Sequence, residues 1–90
     1  MDATKEVVIK STDMSEDMQD EVIKIASHAL ELYRFEKDIA AHVKREFESG
    51  NPGSWNCIVG KIFGASVAHE LGKFICLYVC DIAFLLFKSG

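Results

Sequence analysis

The sequence predicts an α+β domain, two helices packed on one face of an antiparallel sheet. Three observations predict it. Apolar residues recur at helical spacing from about residue 15 to residue 47. After Gly53 the period changes, and four short apolar runs follow: WNCIV, IFGASVA, KFICLYV and IAFLLF. Their connections are too short for a parallel crossover, so neighbouring strands pair antiparallel.

In chain order, Val7, Val8 and Ile9 form a short strand. The segment STDMSED then offers Asp13 or Ser15 as a helix N-cap, with Glu16 and Asp17 near the positive helix end. Met18, Val22, Ile25, Ala26, Ala29 and Tyr33 give an amphipathic helix over about 15–32. In the second helix Phe35, Ile39, Val43 and Phe47 step by four, Glu36 and Asp38 sit early, and Lys44 and Arg45 sit late. GNPG at 50–53 stops it. Gly60, the turn from His69 to Gly72, and Cys80-Asp81 separate the four later strands.

Ninety residues make one domain, 1–90. A chain this short has a marginal core, yet 49% of its residues are hydrophobic. Part of that surplus is expected in a subunit interface. The net charge of −4 argues against nucleic acid, which rewards a basic face. Dispersed basic residues give no polybasic membrane patch. MDATKEVVIK lacks the apolar region of a signal peptide. FICLYVCDIAFLLF is too short for a bilayer helix and carries Asp81, so it reads as two strands and no membrane insertion is expected. Cys57, Cys76 and Cys80 are expected as reduced, buried apolar side chains in a cytosolic or nuclear compartment.

Candidate chemistry is sparse. His28 is expected on the solvated side of helix one, and His42 packed and hydrogen-bonded beside the stripe of helix two. His69 and Glu70 with Cys76 or Cys80 could be drawn as a thiol enzyme, but nothing fixes a nucleophile beside the histidine. No metal spacing or phosphate loop is present, so no cofactor is expected. Trp55 reads as core, and Lys88 and Ser89 as a frayed tail.

The segment GKIFGASVAHE at 60–70 stands apart. Its small side chains leave a strand backbone bare, which lets a second backbone approach. Strand addition is one reading; an interior strand crowded by Phe74 and Tyr78 is the other.

FEKDIAAHVKREF, WNCIVG, FG followed by HE, and LLFKSG together resemble the cytoplasmic dynein light chains of the eight-kilodalton class, in register from about Val7 to Gly90. The resemblance implies a single light-chain domain with two helices on a five-stranded antiparallel sheet, assembled as a strand-swapped homodimer. It implies that the strand at 62–68 crosses to the partner and forms a groove with the partner's second helix. Extended segments of other proteins, the dynein intermediate chain among them, would add there as an extra strand, often with a Thr-Gln-Thr-like anchor. The role so implied is a non-enzymatic cytoplasmic hub on the dynein motor and the microtubule cytoskeleton, with a paralogue of altered or lost peptide specificity, acting as a structural dimer, as the alternative.

Carried over by position, the peptide-binding residues are Glu36, Lys37, Ile62, Phe63, Gly64, Ala65, Ser66, Val67, Ala68, His69, Cys76 and Tyr78. The implied dimer interface holds Asn56, Ile58, Phe63, Ser66, Val67 and Ser89. Several positions depart from the family habit. Ala65, Ser66 and Ala68 stand where a serine, a tyrosine and a threonine are usual, and Cys76 replaces a tyrosine. Asn56 stands where a histidine is common at the interface. Main-chain pairing should survive these changes, whereas the hydroxyls and rings that grip the anchor are missing.

Overall fold

Ser15 opens the first helix. Its Oγ accepts from the Met18 N–H at 3.3 Å, and Glu16 and Asp17 follow in the first turn, where carboxylates meet the positive helix end. Asp13, the other candidate cap, is occupied elsewhere: its carboxylate accepts from the Phe74 N–H at 2.7 Å. The computed structural model describes residues 6–61 and 73–89. Their elements are β1 (Val7–Thr12), α1 (Glu16–Leu32), α2 (Glu36–Gly50), β2 (Ser54–Gly60), β3 (Phe74–Val79) and β4 (Ile82–Ser89).

The α2 helix departs from its expected pattern at both ends. Ile39, Val43 and Phe47 are buried, but Phe35 is the N-cap residue and 68% exposed. It precedes the first helical turn, so its side chain leaves the stripe. At the other end the helix runs on to Gly50, with no basic residue in its last turn. Lys44 therefore sits mid-helix and pairs with Glu48 at 2.7 Å. Asn51 closes the helix through Nδ2, which donates to the Phe47 carbonyl and to Glu21.

The strands form one antiparallel sheet in the order β1-β3-β4-β2. It has four strands among the described residues; the expected fifth, at 62–68, lies outside them. The connection between β3 and β4 is the two-residue turn Cys80-Asp81, with Cys80 at φ 58°. Lys88 and Ser89 are not a frayed tail: β4 runs through them, opposite Trp55 and Ser54.

Alternation along the strands builds the core. Trp55 on β2, Ile75, Leu77 and Val79 on β3, and Phe84 and Leu86 on β4 pack against Val22, Ala26 and Ala29 of α1 and Ile39, Val43 and Phe47 of α2. Trp55 meets Phe47 edge-on, with ring centroids 4.6 Å apart. His28 is exposed as expected. His42 is buried, and the contacts seen for it are with rings, Tyr33 at 5.4 Å and His28 at 6.1 Å. Cys76 is buried and Cys57 half-buried, but Cys80 is exposed because the turn carries it off the sheet.

Candidate interaction surface

The helices cover one face of the sheet. The residues that alternate away from them are also largely apolar, and the strand register arranges them in three rows. Asn56, Phe87 and Phe74 make the first row, and Ile58, Leu85 and Cys76 the second, which reaches Ser11 on β1. The third runs from Gly60 through Ala83 and Tyr78 to Val8. Phe74, Cys76 and Leu85 form a buried cluster separate from the main core, with Phe87 packed against it. At the margins Ile58 is 47% and Val8 45% exposed. An antiparallel sheet with one wet face shows apolar-in, polar-out alternation; this face does not.

Among the described residues the sheet ends in two different edges. On β1 the register slips by one residue between Ile9 and Ser11, which makes Lys10 the extra residue of a bulge. Bulges and edge lysines discourage further strand pairing. Lys10 reaches back over Tyr78, its Nζ 5.9 Å from the ring centroid. The β2 edge is regular over seven residues. The Trp55 N–H on that edge is taken by Glu48 at 2.9 Å. By the alternation of an antiparallel ladder, Cys57 and Val59 also present main-chain groups outward there.

Of the residues expected to act, Asn56, Ile58, Cys76 and Tyr78 share the face opposite the helices. Glu36 and Lys37 are exposed at the start of α2, on the helical side. One chain does not bring the two sets together. Ser89 enters through its backbone, opposite Ser54. Ile62, Phe63, Gly64, Ala65, Ser66, Val67, Ala68 and His69 lie outside the described residues. Leu85 and Phe87 are among the residues on this face that went unmarked in the sequence. The signal was present, since IAFLLF is apolar without alternation, as strands buried on both faces are. The exposed ring of Phe35, beside Glu36 and Lys37, was masked by its helical spacing.

Burial pushes the Cys76 thiol up in pKa, with Lys10 opposing in part. Burial pushes Cys57 up to about 12. Both shifts run against thiolate formation, which reactive cysteines need. The hydrogen bond from Lys44, with the Trp55 N–H, holds Glu48 below its usual value. Among the described residues no group of three or more His, Cys, Asp or Glu side chains is placed to hold a metal.

Residues 6–89 match the family described as dynein light chain type 1. The chain belongs to the dynein light chain family. A dynein light chain of Schistosoma mansoni is 50% identical to it over 86 residues, 96% of this chain and 97% of the relative. Solved structures share the fold at lower identity. The dynein light chain-like domain of the Fasciola hepatica calcium binding protein FhCaBP2 superposes with a TM-score of 0.84 at 20% identity, covering 96% of this chain and 93% of that one. The corresponding domain of CsTAL3 gives 0.73 at 13% identity, over 92% of each chain. Among its described residues this dynein light chain has no helix long and apolar enough to cross a membrane.

Proposed function

We propose that this chain is a light-chain subunit of the dynein motor complex that works as a non-enzymatic homodimeric hub in the cytoplasm, on the microtubule cytoskeleton. The observation that carries this reading is the second apolar face of the sheet. Two such faces packed together would cover Ile58 and Phe87 of both chains and bury the surplus of apolar residues that one small domain leaves over. Asn56, Ile58 and the Ser89 end of β4 lie at this interface, together with Phe63, Ser66 and Val67. The regular edge of β2 then receives the partner's strand at 62–68, since the β1 edge is closed by its bulge.

The outer edge of that fifth strand is where extended segments add, those of the dynein intermediate chain and of other proteins with disordered linear motifs. Its other wall is the start of the partner's α2, where Glu36 and Lys37 stand with the exposed ring of Phe35. Two grooves on one rigid dimer raise each other's effective concentration for paired ligands. Ala65, Ala68 and Cys76 supply no hydroxyl to a Thr-Gln-Thr anchor, so main-chain pairing carries more of the affinity than side-chain grip. A thiol enzyme fits poorly: Cys76 is buried with a raised pKa, and Cys80 is exposed at the β3–β4 turn.

Calorimetric titration of several unrelated linear peptides into wild type and Gly64→Val tests the groove. Main-chain pairing is common to all ligands, so the β-branched side chain should weaken every peptide alike. Loss of one peptide with the others unaffected would contradict a shared strand edge.

A further inference from the structure

On the β2 edge, where a partner's strand is proposed to add, a side chain already holds one main-chain donor. Lys88, opposite Trp55 in the β2–β4 ladder, turns its own N–H toward β3, where it donates to the Lys73 carbonyl at 3.0 Å. The Trp55–Lys88 pair is therefore not hydrogen-bonded across the ladder, and the Trp55 N–H points off the edge. Glu48 Oε2 accepts it at 2.9 Å. Cys57 and Val59 present the next outward groups along the strand.

The fold holds Glu48 there from several sides. Helix α2 ends at Gly50 and β2 begins at Ser54, so the last helical turn stands beside the start of the strand. Phe47 packs edge-on against the Trp55 ring, centroids 4.6 Å apart, and the next residue, Glu48, meets the Trp55 main chain. Asn51 fixes the link between the two elements through its bonds to the Phe47 carbonyl and to Glu21. Lys44, one turn earlier, donates to the same Oε2 at 2.7 Å. The Lys44 bond, with that from the Trp55 N–H, holds the Glu48 carboxyl below its ordinary range. At neutral pH it is therefore an acceptor only. A strand that paired with Trp55 would set its own carbonyl against this carboxylate, in competition for one N–H and against a charge-assisted bond.

We infer that Glu48 is the register stop of the β2 edge: by holding the Trp55 N–H it ends an added strand at Cys57, and so sets which residues of that strand lie opposite Cys57 and Val59. The inference rests on the reading that a second copy's strand adds to β2, and it names what fixes the alignment. A one-residue slip would turn every side chain of the added strand to the wrong face. A two-residue slip would not, so alternation alone leaves it open. The occupied donor at Trp55 closes it. Glu48 acts through the Trp55 main chain and is a positioning residue.

Amide hydrogen exchange resolved to single residues tests this, on dimers at micromolar concentration and on single chains obtained by dilution or with Ile58→Glu. In wild type the Cys57 and Val59 amides should gain protection on dimerisation, while the Trp55 amide is protected alike in both states. Glu48→Ala should make the Trp55 amide exchange several-fold faster in the single chain. In the variant's dimer that amide should regain protection, because the added strand now reaches it. Glu48→Gln keeps an acceptor oxygen and should behave as wild type, which a loss of charge at the helix end alone would not explain. Added protection of the wild-type Trp55 amide on dimerisation overturns the inference. So does a Glu48→Ala dimer whose Trp55 amide exchanges as fast as in the single chain. Should Glu48→Ala not fold, the wild-type comparison of Trp55 with Cys57 and Val59 still decides. Cys57 and Val59 amides that gain nothing in a wild type shown by sedimentation to be dimeric would instead overturn strand addition at β2, and this inference with it.

Discussion

Asn56 is half-buried on β2, in the row it shares with Phe87 and Phe74. A histidine facing its symmetry mate there would charge on acidification and set two like charges against each other. An amide takes up no proton in that range. Dimer content should therefore change little between about pH 7.5 and about pH 5.5, and Asn56→His should introduce acid dissociation across the same window. Dimer fraction in both proteins checks this; equal dissociation of wild type places the acid-sensitive group elsewhere. Cys57 makes the opposite kind of statement, at alkaline pH. Burial raises its pKa from 9.0 to about 12, so the folded chain keeps a proton that the unfolded chain releases. Below the unfolded value both states hold the proton and the stability is fully present. Above it only the unfolded state ionises, and this thiol costs up to about 1.4 kcal/mol for each pH unit until the folded value is reached. Denaturant midpoints at rising pH should fall less steeply for Cys57→Val than for wild type above pH 9, whatever the offset between them. Parallel curves would show that Cys57 ionises equally in both states.

Each element resolves a competition between local chemistry and its neighbours. The β3–β4 turn puts Cys80 at φ 58°, with Val79 and Ile82 paired across it. A two-residue hairpin loop with positive φ at its first central position favours glycine there. Cys80→Gly should raise stability by about 1 kcal/mol, the approximate cost of holding an ordinary side chain in that region. A lower melting temperature for the variant would mean the thiol makes contacts that outweigh the strain. The helices and the antiparallel pairing were legible in the sequence because periodicity reports which face is buried: Val22, Ala26 and Ala29, and then Ile39, Val43 and Phe47, lie where their spacing put them. The ends were less legible. Phe35 fits the four-residue step yet sits one position before the helix, where the step has no meaning. Gly50 stayed inside α2 because Asn51 supplied the closing hydrogen bond. Lys88 and Ser89 read as a tail because nothing local shows that β2 will pair with them. Of the candidate surface, Asn56, Ile58, Cys76 and Tyr78 fall on one face by simple alternation. Strand order, which makes β1 and β2 the edges among the described residues, depends on long-range pairing and left no local trace.

For the molecule as a whole, the helices can cover only one face of a sheet that is apolar on both. Family membership and strand register therefore lead to the same expectation, a second chain laid on the face of Ile58, Leu85 and Phe87. Ile58 is the most direct probe because it is 47% exposed in the single chain. Replacing it by a carboxylate should cost the fold little, while setting two unpaired charges in an apolar interface. The decisive measurement is sedimentation velocity of wild type and Ile58→Glu at micromolar concentration, with circular dichroism to show that both are folded. One chain weighs 10.0 kDa. The account predicts wild type at twice that mass and the variant at the mass of one chain. A folded wild type that sediments at 10.0 kDa, or a variant that stays as dimeric as wild type, would contradict it.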